Sequence, residues 1–128
     1  MNGAAEHLVS IKARIVAHPH VVRWTVIREE AQAEQGLFRY RLTLRGGDML
    51  EMFERFQVVA GSVRVSKYAF HWQDAAGQLR KRLDNAAHHP EVSTHPHHVH
   101  DGAEANAQPH GPISAEEVLM LIASTAEE

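Results

Sequence analysis

Short alternating segments separated by tight turns run through the middle of the chain and most constrain its fold. Over residues 37–45 apolar and polar side chains alternate strictly, which places one set on each face of a β-strand. Turn-forming residues follow at regular intervals, at 46–48, 60–62 and 74–77. Strands joined by such short turns pair antiparallel with their neighbours in the chain, so the pattern predicts a β-meander.

We predict about five strands. They cover residues 21–28, 37–45, 49–59, 63–73 and 78–84, with 29–36 as a polar hairpin connection or frayed strand ends. Val63 and Val65 have the wrong parity for the apolar face of the fourth strand. We therefore expect a β-bulge in that strand.

A helix is predicted at each end of the chain. Residues 4–17 carry apolar side chains at helical spacing and end before Pro19. Ser114 and Glu117 have the spacing of a capping box, and an apolar stripe follows them. The chain of 128 residues has room for one core, so we expect a single α+β domain over 1–128, with both helices on one face of an antiparallel sheet.

The pairing of the fourth and fifth strands decides what lies beside His71. We prefer the register in which Gln73 pairs with Gln78, because it separates apolar from polar side chains. This register predicts that His71 opposes Arg80 and shares the solvent face with Arg80 and Arg82. A bulge in the turn would instead place both arginines opposite aromatic residues.

Histidine is concentrated in one segment. Six of the eleven histidines lie between residues 88 and 100, and the segment 85–112 holds four of the five prolines without any periodicity. We predict a long His/Pro-rich loop here. We expect 85–100 to fold back over the sheet, bringing His97, His98 and His100 toward His71 and Arg82, and 101–109 to be the mobile part.

Composition and charge narrow the function. The chain has no cysteine, which excludes disulfides and thiolate metal sites, and no apolar run long enough to span a bilayer. A cytoplasmic protein without membrane contact is expected. The net charge is −3, but residues 39–82 hold nine basic and four acidic side chains, and nine minus four gives +5. Such a basic region can attract a polyanion such as RNA.

Three blocks of sequence, in this order, resemble the TumE-like family of bacterial toxin–antitoxin toxins. They are YAFHWQD at 68–74, RLDNAAHHP at 82–90 and PHHVH at 96–100. Ala87, His95 and Val99 depart from the family pattern, which has a proline, an aromatic and a basic residue there. The resemblance implies the toxin half of a two-gene module and a cognate antitoxin, often with a helix-turn-helix. It leaves the oligomeric state open, with a homodimer among the options.

Three hypotheses for the histidine segment remain open. The first is a ribonuclease-like activity of the mRNA interferase type, in which histidines act as acid and base without a metal and arginines hold the phosphate. Its candidate residues are His71, Arg80, Arg82, Asp84, His88, His89, His97, His98 and His100. In the second, the histidines bind a metal; however, their spacing matches no standard zinc motif, so we expect no cofactor beyond adventitious zinc or nickel. In the third, the imidazoles hold the loop together and the protein acts by binding alone.

Overall fold

The computed structural model describes residues 3–87 and 89–126. This part of the chain forms a seven-stranded antiparallel sheet whose strands lie in chain order. One helix precedes the first strand in the sequence, and a second helix follows the last strand. The elements are α1 Ala4–Ala17, β1 Val21–Gln32, β2 Gln35–Leu44, β3 Met49–Val59, β4 Ser62–Gln73, β5 Leu79–Asp84, β6 His98–Asp101, β7 Ala107–Pro109 and α2 Ala115–Ala126. A short 3-10 helix, Arg45–Gly47, joins β2 to β3.

Both helices pack on one face of the sheet, because the strands present alternate apolar side chains to them. Leu8, Ile11 and Ile15 of α1 and Val118 and Ile122 of α2 belong to a single buried cluster. The sheet contributes large side chains to the same cluster, among them Phe38, Tyr40, Leu42, Leu50, Met52, Phe70 and Trp72. The predicted α+β class is confirmed.

The opposite side of the sheet, which we call the open face, lies away from the helices. The residues that alternate with the core positions point to it, namely Arg39, Arg41, Glu51, Phe53, His71, Arg82, Asp84, His98 and His100. Polar and charged side chains are therefore concentrated on this face, and several of them belong to the basic region 39–82.

Two local predictions hold. The register between β3 and β4 shifts after Arg55, which pairs with Lys67 while Phe56 pairs with Val65, so the expected bulge is present. The capping box is formed at the start of α2. The Glu117 backbone N–H donates to Ser114 Oγ at 3.1 Å, and the Ser114 backbone N–H donates to the Glu117 carboxylate at 3.0 Å.

The hairpin expected at 29–36 is present, but its connection is shorter than predicted, because most of these residues belong to paired strands. β1 continues to Gln32 and β2 begins at Gln35, so Ala33 and Glu34 alone form the turn. β1 is an edge strand, and its polar side chains can face solvent without cost while the backbone stays paired with β2. Alternation of polarity therefore gives no signal in this part of the strand.

The strand count is seven rather than five, because the predicted loop 85–112 contains β6 and β7. His98 and His100 point to the open face, and Val99 between them enters the core cluster. This is an ordinary alternating strand in which both polar positions are histidine. β7 is short and pairs with β6 through residues such as Gln108 opposite Val99.

The preferred register of β4 and β5 is also wrong, by two residues. His71 lies opposite Arg82, Phe70 opposite Leu83 and Ala69 opposite Asp84. A register shift between Trp72 and Gln73 absorbs the difference near the turn. Because a shift of two residues preserves parity, His71 and Arg82 still share a face of the sheet, as predicted.

Candidate functional site

A row of charged and titratable residues crosses the open face from strand to strand. Glu51 on β3 lies opposite His71 on β4, His71 opposite Arg82 on β5, and Arg82 opposite His100 on β6. Neighbouring strands are about 4.8 Å apart, so the backbones at His71 and His100 are roughly 10 Å apart with Arg82 between them. A guanidinium thus has an imidazole-bearing strand on each side.

Asp84 connects Arg82 to the histidines of β6. Arg82 Nε donates to Asp84 Oδ2 at 3.1 Å, and the backbone N–H of Ala86 donates to Oδ1 at 3.0 Å. Asp84 Oδ1 is 3.1 Å from His98 Nε2, and Asp84 Oδ2 is 3.9 Å from His100 Nε2. The side chain of Asp84 is only 2% exposed, and a buried carboxylate needs such partners.

Three imidazoles, those of His89, His98 and His100, form a cluster beside Asp84, which we call the imidazole cluster. The ring of His89 lies edge-on to both others, at centroid distances of 5.0 Å and 5.1 Å. His98 Nε2 and His100 Nε2 are 3.1 Å apart. His89 comes from the segment between β5 and β6, so this segment does reach back to the open face of the sheet.

The Nδ1 atom of each ring in the imidazole cluster is bound to an acceptor. His98 Nδ1 donates to the Pro96 carbonyl at 2.9 Å, and His100 Nδ1 donates to the Glu104 carbonyl at 2.7 Å. A carbonyl oxygen only accepts, so both Nδ1 atoms carry the proton. His89 Nδ1 is 2.8 Å from the Glu91 carboxylate, and the hydrogen bond from His89 holds the pKa of Glu91 below its ordinary value.

This pattern has a consequence for the short contact between His98 and His100. When both rings are neutral and protonated on Nδ1, their Nε2 atoms present lone pairs to each other and to the Asp84 carboxylate. Lone pairs and a carboxylate repel at 3.1 Å. A metal cation bound among these three groups would remove this repulsion.

The other predicted site residues lie elsewhere. Arg80 Nε is 2.7 Å from Asp48 Oδ2, and its guanidinium stands 5.3 Å from the ring of Trp72, a core residue. Arg80 therefore does not share the face of His71, because the register shift near the turn directs it to the Trp72 side. The prediction that places both arginines beside His71 is correct for Arg82 and wrong for Arg80.

His97 also lies apart from the imidazole cluster. Its ring stacks on Tyr68 at 5.8 Å, and its Nδ1 is hydrogen-bonded to the Tyr68 hydroxyl at 2.9 Å. Tyr68 belongs to the core cluster, so the expected approach of His97 to Arg82 is wrong. Burial, with the charge of Asp84, raises the pKa of Tyr68 to about 12, so its hydroxyl remains protonated at neutral pH. His88 lies outside the described residues.

Residues that are not among the candidate residues predicted for the site extend it toward β2. Glu51 accepts hydrogen bonds from Arg39 at 2.8 Å and from Arg41 at 2.9 Å, and Arg39 also covers the ring of Phe53 at 4.6 Å. Burial alone would raise the pKa of Glu51, but the two guanidinium groups lower it below its ordinary value. The alternation over 37–45 predicts that these two arginines share a face of β2. That both bind Glu51 can be known only from the pairing register of β2 and β3.

The described residues, 3–87 and 89–126, include no helix long and apolar enough to cross a membrane. The family model described as toxin TumE matches residues 11–127, nearly the whole chain. The protein therefore belongs to the TumE toxin family, and this membership makes it the toxin component of a toxin–antitoxin module with an antitoxin as partner. No curated protein and no solved structure matches the chain.

Proposed function

We propose that this toxin acts on RNA in the cytoplasm and that the open face around Arg82 cleaves the phosphodiester backbone. The observation that carries the proposal is the row in which Arg82 lies between His71 on one strand and His100 on the next. A cation that can bind a phosphate is thus flanked by titratable groups on both sides. Cleavage of an RNA phosphodiester by internal transesterification needs such an arrangement.

The chemistry is an internal transesterification. A base removes the proton of the ribose 2′-OH, the 2′-oxygen attacks phosphorus, and the bond from phosphorus to the 5′-oxygen breaks. The leaving 5′-oxygen takes up a proton, so the products are a 2′,3′-cyclic phosphate and a 5′-hydroxyl. In this proposal His71, hydrogen-bonded to Gln73 at 3.1 Å, is the proton-transfer group on β4.

Arg82 supplies positive charge to the phosphate. Only Nε of Arg82 is used in the bond to Asp84, and the guanidinium carries its other N–H groups on the two terminal nitrogens. These donors can hold a phosphate in the bidentate manner. Negative charge grows on the phosphate oxygens in the transition state, so cations fixed on a rigid sheet stabilise the transition state more than the substrate.

The binding-only alternative has one observation in its favour. The imidazoles of His98 and His100 each bind a carbonyl of their own segment, as a structural role would require. A toxin that only occluded its target would use the same basic face without breaking bonds. An antitoxin that carries a helix-turn-helix and a homodimeric toxin are both compatible with this proposal.

Purified protein incubated with a mixed RNA substrate tests the proposal. Wild type should yield fragments ending in 2′,3′-cyclic phosphate, and Arg82→Gln should lose at least tenfold in rate. Arg14→Gln is the matched control, because it makes the same charge change on α1, where Arg14 pairs with exposed Glu116. Binding of RNA by wild type without any cyclic phosphate would support the occlusion alternative and contradict cleavage.

A further inference from the structure

The imidazole cluster has the composition and shape of a metal site. We propose that His89, His98 and His100, with Asp84, bind one divalent transition-metal cation, for which Zn²⁺ is the best match. The sequence alone favoured no resident metal, since the spacing of the histidines follows no zinc motif. The inference concerns what is bound at the cluster and does not depend on RNA cleavage.

The pairing of β5 with β6 brings together ligands that are not spaced as a zinc motif in the sequence. His98 and His100 are two residues apart on β6 and so point to the same side, and Asp84 is the neighbour of His98 on β5. His89 closes the group from the preceding segment. One ligand atom from each of the three histidines lies within 4.8 Å of the other two.

The distances fit a small tetrahedral ion after a minor adjustment. Donors that stand about 2.0–2.1 Å from zinc lie roughly 3.3 Å from one another. The separation of His98 Nε2 from His100 Nε2 is 3.1 Å, and that of His98 Nε2 from Asp84 Oδ1 is also 3.1 Å. His89 is the least buried of the three rings, and its side chain is 24% exposed, so an ion can enter from its side.

The outer hydrogen bonds are those that orient metal-binding imidazoles. A ligating histidine donates its other ring N–H to a carbonyl or carboxylate, which fixes the tautomer and turns the remaining nitrogen toward the metal. All three rings do so through Nδ1, to Pro96, Glu104 and Glu91. This leaves Nε2 as the metal-binding atom on each ring.

The donor set selects the class of cation. Three imidazole nitrogens with one carboxylate oxygen suit zinc and its neighbours in the first transition row, whereas Mg²⁺ and Ca²⁺ prefer oxygen ligands. A cation at this position would also remove the repulsion between the two Nε2 lone pairs and Asp84. Arg82, bound to the outer side of Asp84, would then orient that ligand.

Calorimetric titration of untagged, chelator-treated protein with Zn²⁺ tests the site. We expect one equivalent to bind tightly and Mg²⁺ not to bind. His89→Gln, at a partly exposed position that should tolerate the change, is expected to weaken binding at least tenfold, as is His100→Gln. Wild type loaded with Co²⁺ should show the visible absorption of a tetrahedral cobalt centre.

His110→Gln is the matched control, because this ring bonds to the neighbouring Gly111 carbonyl and lies outside the imidazole cluster. It should bind Zn²⁺ as wild type does. Absence of tight binding in wild type, or equal loss in His110→Gln and His89→Gln, would overturn the proposal. Tight zinc binding by a protein that leaves RNA intact would contradict the cleavage proposal alone, and RNA cleavage without zinc binding would contradict the metal site alone.

Discussion

A single carboxylate, that of Asp84, connects the Arg82 guanidinium to the imidazole cluster. One of its oxygens takes the Ala86 backbone N–H and faces His98, and the other takes Arg82 Nε. Isolated in the core, a charge of this kind would be costly, but here it accepts hydrogen bonds from the Arg82 guanidinium and from the Ala86 backbone N–H. The cost of its burial is offset only while Arg82 and the imidazoles remain in place, so this residue holds the two halves of the site together.

Glu51 has a comparable role on β3, and its effect should depend on pH. Arg39 and Arg41 lower its pKa in the folded protein below the ordinary value of 4.5. A lowered folded pKa means that the carboxylate contributes stability at pH values above 4.5, and that this contribution disappears as the pH falls through the folded value. Glu51→Gln should therefore lower the free energy of unfolding by about 1 kcal/mol at pH 7.

Urea unfolding at a series of pH values measures this difference. The free-energy gap between wild type and Glu51→Gln should narrow steadily as the pH is lowered below 4.5. Glu34→Gln, in the exposed turn between β1 and β2, is the control and should behave as wild type at every pH. A gap that stayed constant down to acid pH would show that the ion pairs with Arg39 and Arg41 do not stabilise the fold.

At the scale of elements, β6 decides whether the site exists. It is four residues long and carries two of the three rings of the imidazole cluster, while Val99 alone anchors its other side in the core. Val99 is buried, with 8% of the residue exposed. Besides the backbone pairing with β5 and β7 and the hydrogen bonds of the two rings, Val99 is the apolar contact that holds His98 and His100 in position.

Val99→Ala should weaken this anchor. Removing two buried methyl groups is expected to cost about 2 kcal/mol in the free energy of unfolding and to raise amide exchange in β6 and β7 more than in β2 and β3. Val22→Ala is the matched control, because Val22 is 60% exposed on the edge strand and should cost little. Equal exchange in all strands of Val99→Ala would show that β6 is held by other contacts.

The elements also show which parts of the fold can be predicted from sequence. The strict alternation over 37–45 and the capping box of Ser114 report local chemistry, and both are present in the structure. Arg80 was misplaced because a register shift beside a turn depends on long-range contacts, here with Asp48 and Trp72. β6 is not predicted, because its two polar positions are histidines in a proline-rich segment. The approach of His89 to the cluster cannot be predicted either, because the loop that carries His89 has no sequence periodicity.

At the scale of the whole molecule, the two faces of the sheet differ in polarity. One face carries the apolar side chains that hold both helices, and the other carries the charged row from Arg41 to His100. Of the basic residues in the middle of the chain, Arg39, Arg41 and Arg82 lie on this second face, although the net charge of the chain is −3. Such a distribution suits a target with a phosphate backbone, and RNA binding should weaken as salt concentration rises.

The central claim is that the open face around Arg82 is the toxic site, and growth after induced expression in a bacterial host tests it most directly. Wild type and Arg14→Gln should arrest growth, whereas Arg82→Gln, present at the same cellular level, should allow it. Arrest of growth by Arg82→Gln as strong as that by wild type would contradict the account and place the toxic activity elsewhere on the molecule.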